Sequence, residues 1–411
     1  MAGLQPVRGT HDLLPDDSRR HRHVEDTAFQ LVRRYGYGEI VTPIFEFTEV
    51  FARTLGETSD VVTKEMYTFS MKEGESITLR PEGTAGVARA FISNGLAQSL
   101  PLKLFYRGPM FRHERPQKGR QRQFHQVGVE FLGVADPLAD IETVSMGFRF
   151  LEALGLGDKV TLELNTLGDQ ESREAYRNAL IAYLDPFRSG LSEESRARLD
   201  KNPLRVLDSK DEGDKKIVAA APLMTDCLTP SAKDYFDQLC QGLTDIGVPF
   251  TVNPRLVRGL DYYCHTAFEF TTTALGAQGT VLAGGRYDGL IGQMGGPATP
   301  GIGWAAGVER LSMLVGDIAA TDRPVAIVPM GNAPQAMVLA DRLRAAGISV
   351  ELGFSGNMKK RMARADKADA RAVVILGEDE MARGAATVRD LDSGSQTEVA
   401  LDRLTEHLLA R

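Results

Sequence analysis

Two apolar, β-like stretches, Leu102–Tyr106 and Val127–Leu132, bracket an arginine-rich segment, and no other feature of the chain constrains its fold as tightly. Arg107, Arg112, Arg115, Lys118, Arg120 and Arg122 lie between them, with Pro116 and Gly119 supplying turn chemistry. The pattern reads as a hairpin with a long basic tip. Guanidinium forks donate paired hydrogen bonds to phosphate oxygens, so such a tip suits a polyanion. An edge hairpin charged against aggregation is the competing reading.

The 411 residues are enough for two or three domains, and a 43% hydrophobic, 25% charged composition is that of an ordinary globular protein. Apolar runs such as Ala372–Leu376 are strand-sized, far short of a bilayer span, and Met1–Thr10 has no apolar signal core. A cytoplasmic protein with no membrane partner is expected. Cys227, Cys240 and Cys264 lack ligand spacing, so no metal site from Cys or His is expected. His21 and His23 sit among Arg19, Arg20 and Arg22 and read as a solvated helix face. The net charge of −7 excludes no polyanionic partner, because phosphate contacts are made by local patches.

Periodicity predicts a helix over His11–Tyr35 and a strand over Glu39–Thr48 broken by Pro43. A hairpin follows over Met66–Leu79, then a helix over Gly83–Asn94 and a strand over Val160–Leu164. The expected fold is α+β, a mostly antiparallel sheet flanked by helices. Charged, alanine-rich helical texture between about residues 169 and 248 reads as an insertion, after which sheet texture resumes through Gly301–Ala306. From Val325 strand and helix alternate, predicting a parallel sheet in a small α/β domain over residues 323–411, after a first domain over 1–320.

No nucleophile elbow, Ser-His-Asp order or Walker loop is present. Four segments in order do carry a resemblance. Arg112–Gln126 resembles motif 2 of the class II aminoacyl-tRNA synthetases, in the form found in histidyl-tRNA synthetases. Leu79-Arg-Pro-Glu-Gly-Thr84 is similar to the amino-acid-binding turn, Val257-Arg-Gly-Leu-Asp-Tyr-Tyr263 to the histidine signature, and Gly301–Leu311 to motif 3. Arg8-Gly-Thr-His-Asp12 and a turn at Gly284-Gly-Arg-Tyr-Asp288 fit as well. The tail resembles the class IIa anticodon-binding fold.

This resemblance implies ATP-dependent activation of L-histidine and transfer to tRNA(His) by a homodimer, with Mg²⁺ assisting. It assigns Arg112 to the α-phosphate, Arg310 to the γ-phosphate, and Arg258 to a bridge between the substrate carboxylate and the α-phosphate. Glu130 and Tyr263 match positions that hold the imidazole; Glu82, Thr84 and Gln126 match those that hold the ammonium group; Gly83 also belongs to the histidine-binding set, and Tyr262 and Tyr287 would line the pocket. Tyr262 and Tyr263 also suit an aromatic pair in the core. Arg115, Gln117, Lys118, Arg120 and Arg122 are the expected tRNA contacts of the hairpin. Lys359, Lys360, Arg361, Arg364 and Lys367 form a basic helix face that is either RNA-facing or solvated. Cys264-His265 stands where the family commonly has asparagine. A non-catalytic relative, the regulatory subunit that partners ATP phosphoribosyltransferase, is the alternative; it generally lacks the tail domain and has eroded motif residues.

Overall fold

The computed structural model describes residues 4–55, 61–207, 209–257, 262–276, 279–318, 323–331 and 333–410. The chain divides into two compact units, Met1–Ile318 and Ala319–Arg411. In the first, the strands in chain order are β1 Gly38–Glu39, β2 Phe45–Phe47, β3 Thr68–Ser70, β4 Ser76–Leu79, β5 Leu102–Phe111, β6 Gln123–Leu132, β7 Thr161–Thr166, β8 Thr251–Val252, β9 Cys264–Thr271, β10 Thr280–Arg286 and β11 Gly301–Gly307. Eight described strands form one sheet in the order β1-β5-β6-β11-β10-β9-β7-β8. Only the outermost pairs, β1–β5 and β7–β8, are parallel.

The basic hairpin is β5–β6, paired without a break from Leu102↔Leu132 to Phe111↔Gln123. The expected strand over Glu39–Thr48 is instead two strands in different sheets, β1 in the large one and β2 in a three-stranded sheet of order β2-β4-β3. Pro43 between them explains the break, since it has no N–H to continue a ladder.

The first helix runs Pro15–Arg34, with Pro at its first turn, Asp16 and Asp17 at the positive end of its dipole, and Arg33 and Arg34 at the negative end. Its buried face is His21, Val24, Ala28, Leu31 and Val32. His21 is therefore not on a solvated face. The helical spacing that buries Val24 and Ala28 carries His21 inward with them, despite its arginine neighbours.

The helical stretch divides between two cores. Helices Gln170–Leu184, Glu193–Lys201 and Glu212–Val218 close around Tyr176, Leu180, Leu199 and Met224. Helix Pro230–Asp245 instead sends Phe236, Leu239 and Leu243 into the core of the large sheet. Asp140 and Arg286, both fully buried, pin the end of β10 to helix Pro137–Ala153. Tyr235 donates to Asp140 at 2.8 Å, Thr266 donates to it as well, and Arg286 also reaches the Val134 carbonyl at 3.0 Å, so this buried pair is hydrogen-bonded throughout. Gly284-Gly-Arg286 is accordingly strand, not the turn that was expected, because Gly284 and Gly285 pair on both sides.

In the second unit β12 Val325–Pro329 pairs in parallel with β13 Val350–Leu352 and β14 Ala372–Leu376. Two further strands, β15 Ala385–Asp390 and β16 Gln396–Ala400, add to β14 antiparallel, so the sheet is mixed rather than parallel. Helix Met358–Lys367 packs Met358, Met362 and Ala365 against Ala326, Val328 and Val373, leaving Lys359, Lys360 and Arg364 exposed.

Candidate active site

A cavity of about 410 Å³ opens on the face of the large sheet between β6, β10 and β11. Its floor is polar and buried. Glu130, on β6, is 1% exposed and accepts from the Thr84 hydroxyl at 2.7 Å and from the Tyr287 hydroxyl. Burial pushes its carboxyl up to about 8, against the pull of those two hydroxyls. Directly across the ladder stands Gly303, where a Cβ would overlap both Glu130 Oε2 and the Val129 carbonyl. Only glycine leaves room there for the carboxyl to turn into the cavity.

Glu82 caps the helix Thr84–Ser93. Its two oxygens accept the amide N–H groups of Thr84 at 2.6 Å and Ala85 at 2.8 Å, the orphan donors of a helix start. Burial raises its carboxyl pKa and the amides hold it down. Gly83 is needed between them because a side chain would run into the ring of Tyr106. Gln126 lines the same cavity, and its buried carbonyl oxygen has no partner among the described residues. Tyr262, Tyr263 and Tyr287 wall the floor, with ring centroids 4.6 Å apart for Tyr262–Tyr263 and 5.9 Å for Tyr262–Tyr287. They are thus both a core cluster and a pocket wall.

The mouth is basic. Arg112 donates to the Pro81 carbonyl at 2.9 Å and lies over the Phe124 ring at 5.3 Å. Arg310, in helix Val308–Val315, donates to the carbonyls of Gly119 at 3.0 Å and Thr280 at 2.5 Å, which lays the hairpin tip against that helix. Burial depresses the Arg310 pKa, and the charges of Arg120 and Arg112 depress it further. Three carboxylates that sequence reasoning missed, Glu114, Glu269 and Glu309, also line the cavity. Glu114 pairs with Arg120 at 2.6 Å, and Glu269 accepts from Thr280 at 2.8 Å. Glu269, a charge between Phe268 and Phe270 on a strand, was the signal available.

Arg258 lies outside the described residues, so the structure brings two of the three expected arginines to one cavity. The five expected tRNA contacts split. Arg115, Gln117 and Lys118 are exposed, whereas Arg120 turns to Glu114 and Arg122 ties the N-terminal segment through the carbonyls of Glu114 and Arg8. Cys264 does not line the cavity, and burial pushes its thiol up to about 12, so it is no nucleophile at neutral pH. His265, at φ 44°, packs its ring on Tyr235 at 4.6 Å.

Known proteins match this chain along nearly its whole length. Residues 9–311 match the family model for histidyl-tRNA synthetase, and residues 324–411 the model for an anticodon binding domain. The chain is 62% identical to a histidine–tRNA ligase of Rhodospirillum rubrum over 411 residues, covering 99% of each protein. It is 59% identical to that of Gluconacetobacter diazotrophicus over 410 residues, again 99% of each. Among solved structures, the apo histidyl-tRNA synthetase of S. aureus superposes with a TM-score of 0.83 at 35% identity, covering 98% of this chain and 99% of the other. An acidic, tyrosine-walled floor under an arginine-lined mouth, on a sheet shared with these enzymes, leaves one placement: the chain belongs to the histidyl-tRNA synthetase family.

Proposed function

We propose that this protein activates L-histidine with ATP and transfers the histidyl group to the 3′ end of tRNA(His). One observation carries the reading: a single cavity has a floor shaped for a small polar side chain and a mouth lined by guanidinium groups. In the first step a substrate carboxylate oxygen attacks the ATP α-phosphorus, the bond to the β-phosphate oxygen breaks, and pyrophosphate leaves. The protein then needs only position and charge. Arg112 stabilises the α-phosphate as charge grows there, and Arg310 holds the γ-phosphate. Arg258 completes the set through the family's implication. Glu130 and Tyr263 hold the imidazole, which rejects apolar side chains because those would leave the buried carboxyl unpaired. The unpartnered carbonyl oxygen of Gln126 and the carboxylate of Glu82 suit the substrate ammonium group.

Mg²⁺ takes oxygen ligands from one or two carboxylates and the substrate phosphates, and Glu114 with Glu269 fit that donor set at the cavity mouth. When bound, the ion neutralises charge on the triphosphate. Arg115, Gln117 and Lys118 on the hairpin tip, and the exposed lysines of helix Met358–Lys367, are the phosphate contacts for tRNA. A homodimer is supported by the small sheet, where Phe47, Ile77 and Phe69 stand in register on one face. Phe45, Phe47 and Phe69 are 52%, 57% and 50% exposed, an apolar surface that a second copy would cover. A cytoplasmic setting follows from the reaction; no described helix is long and apolar enough to cross a membrane. Nothing in the site favours the regulatory-subunit alternative.

Histidine-dependent exchange of pyrophosphate into ATP tests the proposal. Arg112→Ala and Arg258→Ala are each expected to lower the exchange rate at least a hundredfold, in line with losing a transition-state donor. An unchanged rate in Arg112→Ala would overturn the assignment of this cavity.

A further inference from the structure

Behind the basic hairpin, three side chains from distant parts of the chain meet. His21 comes from helix Pro15–Arg34, His125 from β6 and Glu309 from the first turn of helix Val308–Val315. One ligand atom of each lies within 4.8 Å of the others. We propose that His21, His125 and Glu309 form a binding site for a divalent ion of the zinc class, reached through a second cavity of about 500 Å³ that His21 and Glu309 line.

The donor set argues for the ion. Two imidazoles and one carboxylate are the ligands of open zinc sites, in which water takes the fourth position. Hard ions such as Mg²⁺ and Ca²⁺ prefer all-oxygen shells and are disfavoured here. His125 Nδ1 is 2.9 Å from Glu309 Oε1, a hydrogen-bond distance that needs to open by only about 0.5 Å to reach the spacing of two ligands on one ion. Bonds of about 2.1 Å in a tetrahedron put ligand atoms roughly 3.4 Å apart. The widest gap therefore has to close by about 1.4 Å, within reach of a rotation of the His21 side chain.

Glu309 is already oriented, because it also accepts the His125 backbone N–H at 2.9 Å. On loading, the ring nitrogen that faces Glu309 gives up any proton it carries, and the ion replaces that side-chain hydrogen bond. The cavity supplies an entry path and room for water. Two cations line it: Arg20 is held between Asp17 and Asp317 at 2.6 Å each, which limits its repulsion of an incoming ion, and Lys118 lies on the exposed hairpin tip. A bound ion would tie helix Pro15–Arg34 to two elements that line the active cavity, β6 and helix Val308–Val315, since Gln126 follows His125 and Arg310 follows Glu309.

The test is a Zn²⁺ titration of the full-length protein after chelator treatment, read by calorimetry and by thermal unfolding. Wild type is expected to bind one ion per chain at this site with a rise in melting temperature. His21→Phe keeps the edge-to-face ring contact with His125, 5.5 Å between centroids, but offers no nitrogen. It is expected to lose at least about tenfold in affinity, the lower bound for losing even an outer partner of a metal-bound histidine. His23→Gln, on the same helix, should bind as wild type does. Equal affinity in His21→Phe overturns the proposal. Independently of any variant, the Co²⁺-loaded wild type should show tetrahedral d–d bands without thiolate charge transfer. Thiolate bands, or binding abolished by alkylating the three cysteines, would place the ion elsewhere and likewise overturn it.

Discussion

Replacing Glu130 by Gln should make the ligand-free protein more stable, and the gain should grow with pH. A carboxyl at about 8 in the fold and near 4.5 when unfolded binds its proton more tightly folded than unfolded. Between those values the native state holds the extra proton, so stability falls as pH rises through the window. The cost is absent below the unfolded value and complete above the folded one. At about 1.4 kcal/mol per unit, the shift sets a ceiling of roughly 5 kcal/mol at pH 9 and leaves only about 1 kcal/mol at pH 5. Glutamine removes the titration while keeping the size, and the Thr84 and Tyr287 hydroxyls can turn to serve either end of the amide. For a unit of about 318 residues each kcal/mol moves the melting temperature by roughly 1.5 °C. Thermal unfolding of Glu130→Gln beside wild type, without histidine, should show the curves separating from pH 5 to pH 9 by up to about 7 °C. Parallel curves at every pH would refute a buried carboxyl with a raised pKa. The same variant should bind histidine more weakly, so the site trades stability for recognition.

Gly303→Ala is expected to cost about 1–3 kcal/mol by overpacking and to raise the KM for histidine with ATP affinity kept; exchange kinetics and thermal unfolding together check this. Arg286→Met strands the buried Asp140 charge and should destabilise by about 3–5 kcal/mol in denaturant titration, with Asp140→Asn in the same chain recovering part of the loss. Phe47→Asp places a charge in the middle of the apolar sheet face and should halve the mass seen by sedimentation equilibrium, whereas an unchanged mass would move the interface elsewhere.

The hairpin was legible in the sequence because period-2 alternation and turn residues are local signals, and β5–β6 carries both. The contacts that make the site were legible only as family positions. Thr84 and Glu130 are 46 residues apart, Glu130 and Tyr287 are 157 apart, and no local pattern announces that their oxygens will meet. His21 is a different case, because its signal was present: positions 21, 24, 28, 31 and 32 form one helical stripe. Three neighbouring arginines mask that stripe when local charge alone is read. On a helix, neighbours in sequence point away from one another, so the charge of residues 19, 20 and 22 says nothing about the direction of residue 21.

The charge of the whole chain misleads for a related reason. A net −7 coexists with a cavity mouth where Arg112, Arg120 and Arg310 crowd together. Burial and mutual repulsion disfavour the charge on Arg310, and Glu114 with Glu269 offset only part of that. Repulsion of this kind persists in a folded protein only when other interactions fix the groups in place. Here backbone carbonyls do so: Pro81 holds Arg112, and Gly119 with Thr280 hold Arg310. The guanidinium groups of Arg112 and Arg310 are thus aimed by backbone carbonyls, while Glu114, 3.9 Å from Arg112 and paired with Arg120, offsets part of the charge. A triphosphate entering there meets charge that needs no reorganisation, and the surrounding acidic surface, screened over about 8–10 Å at physiological salt, does not cancel it.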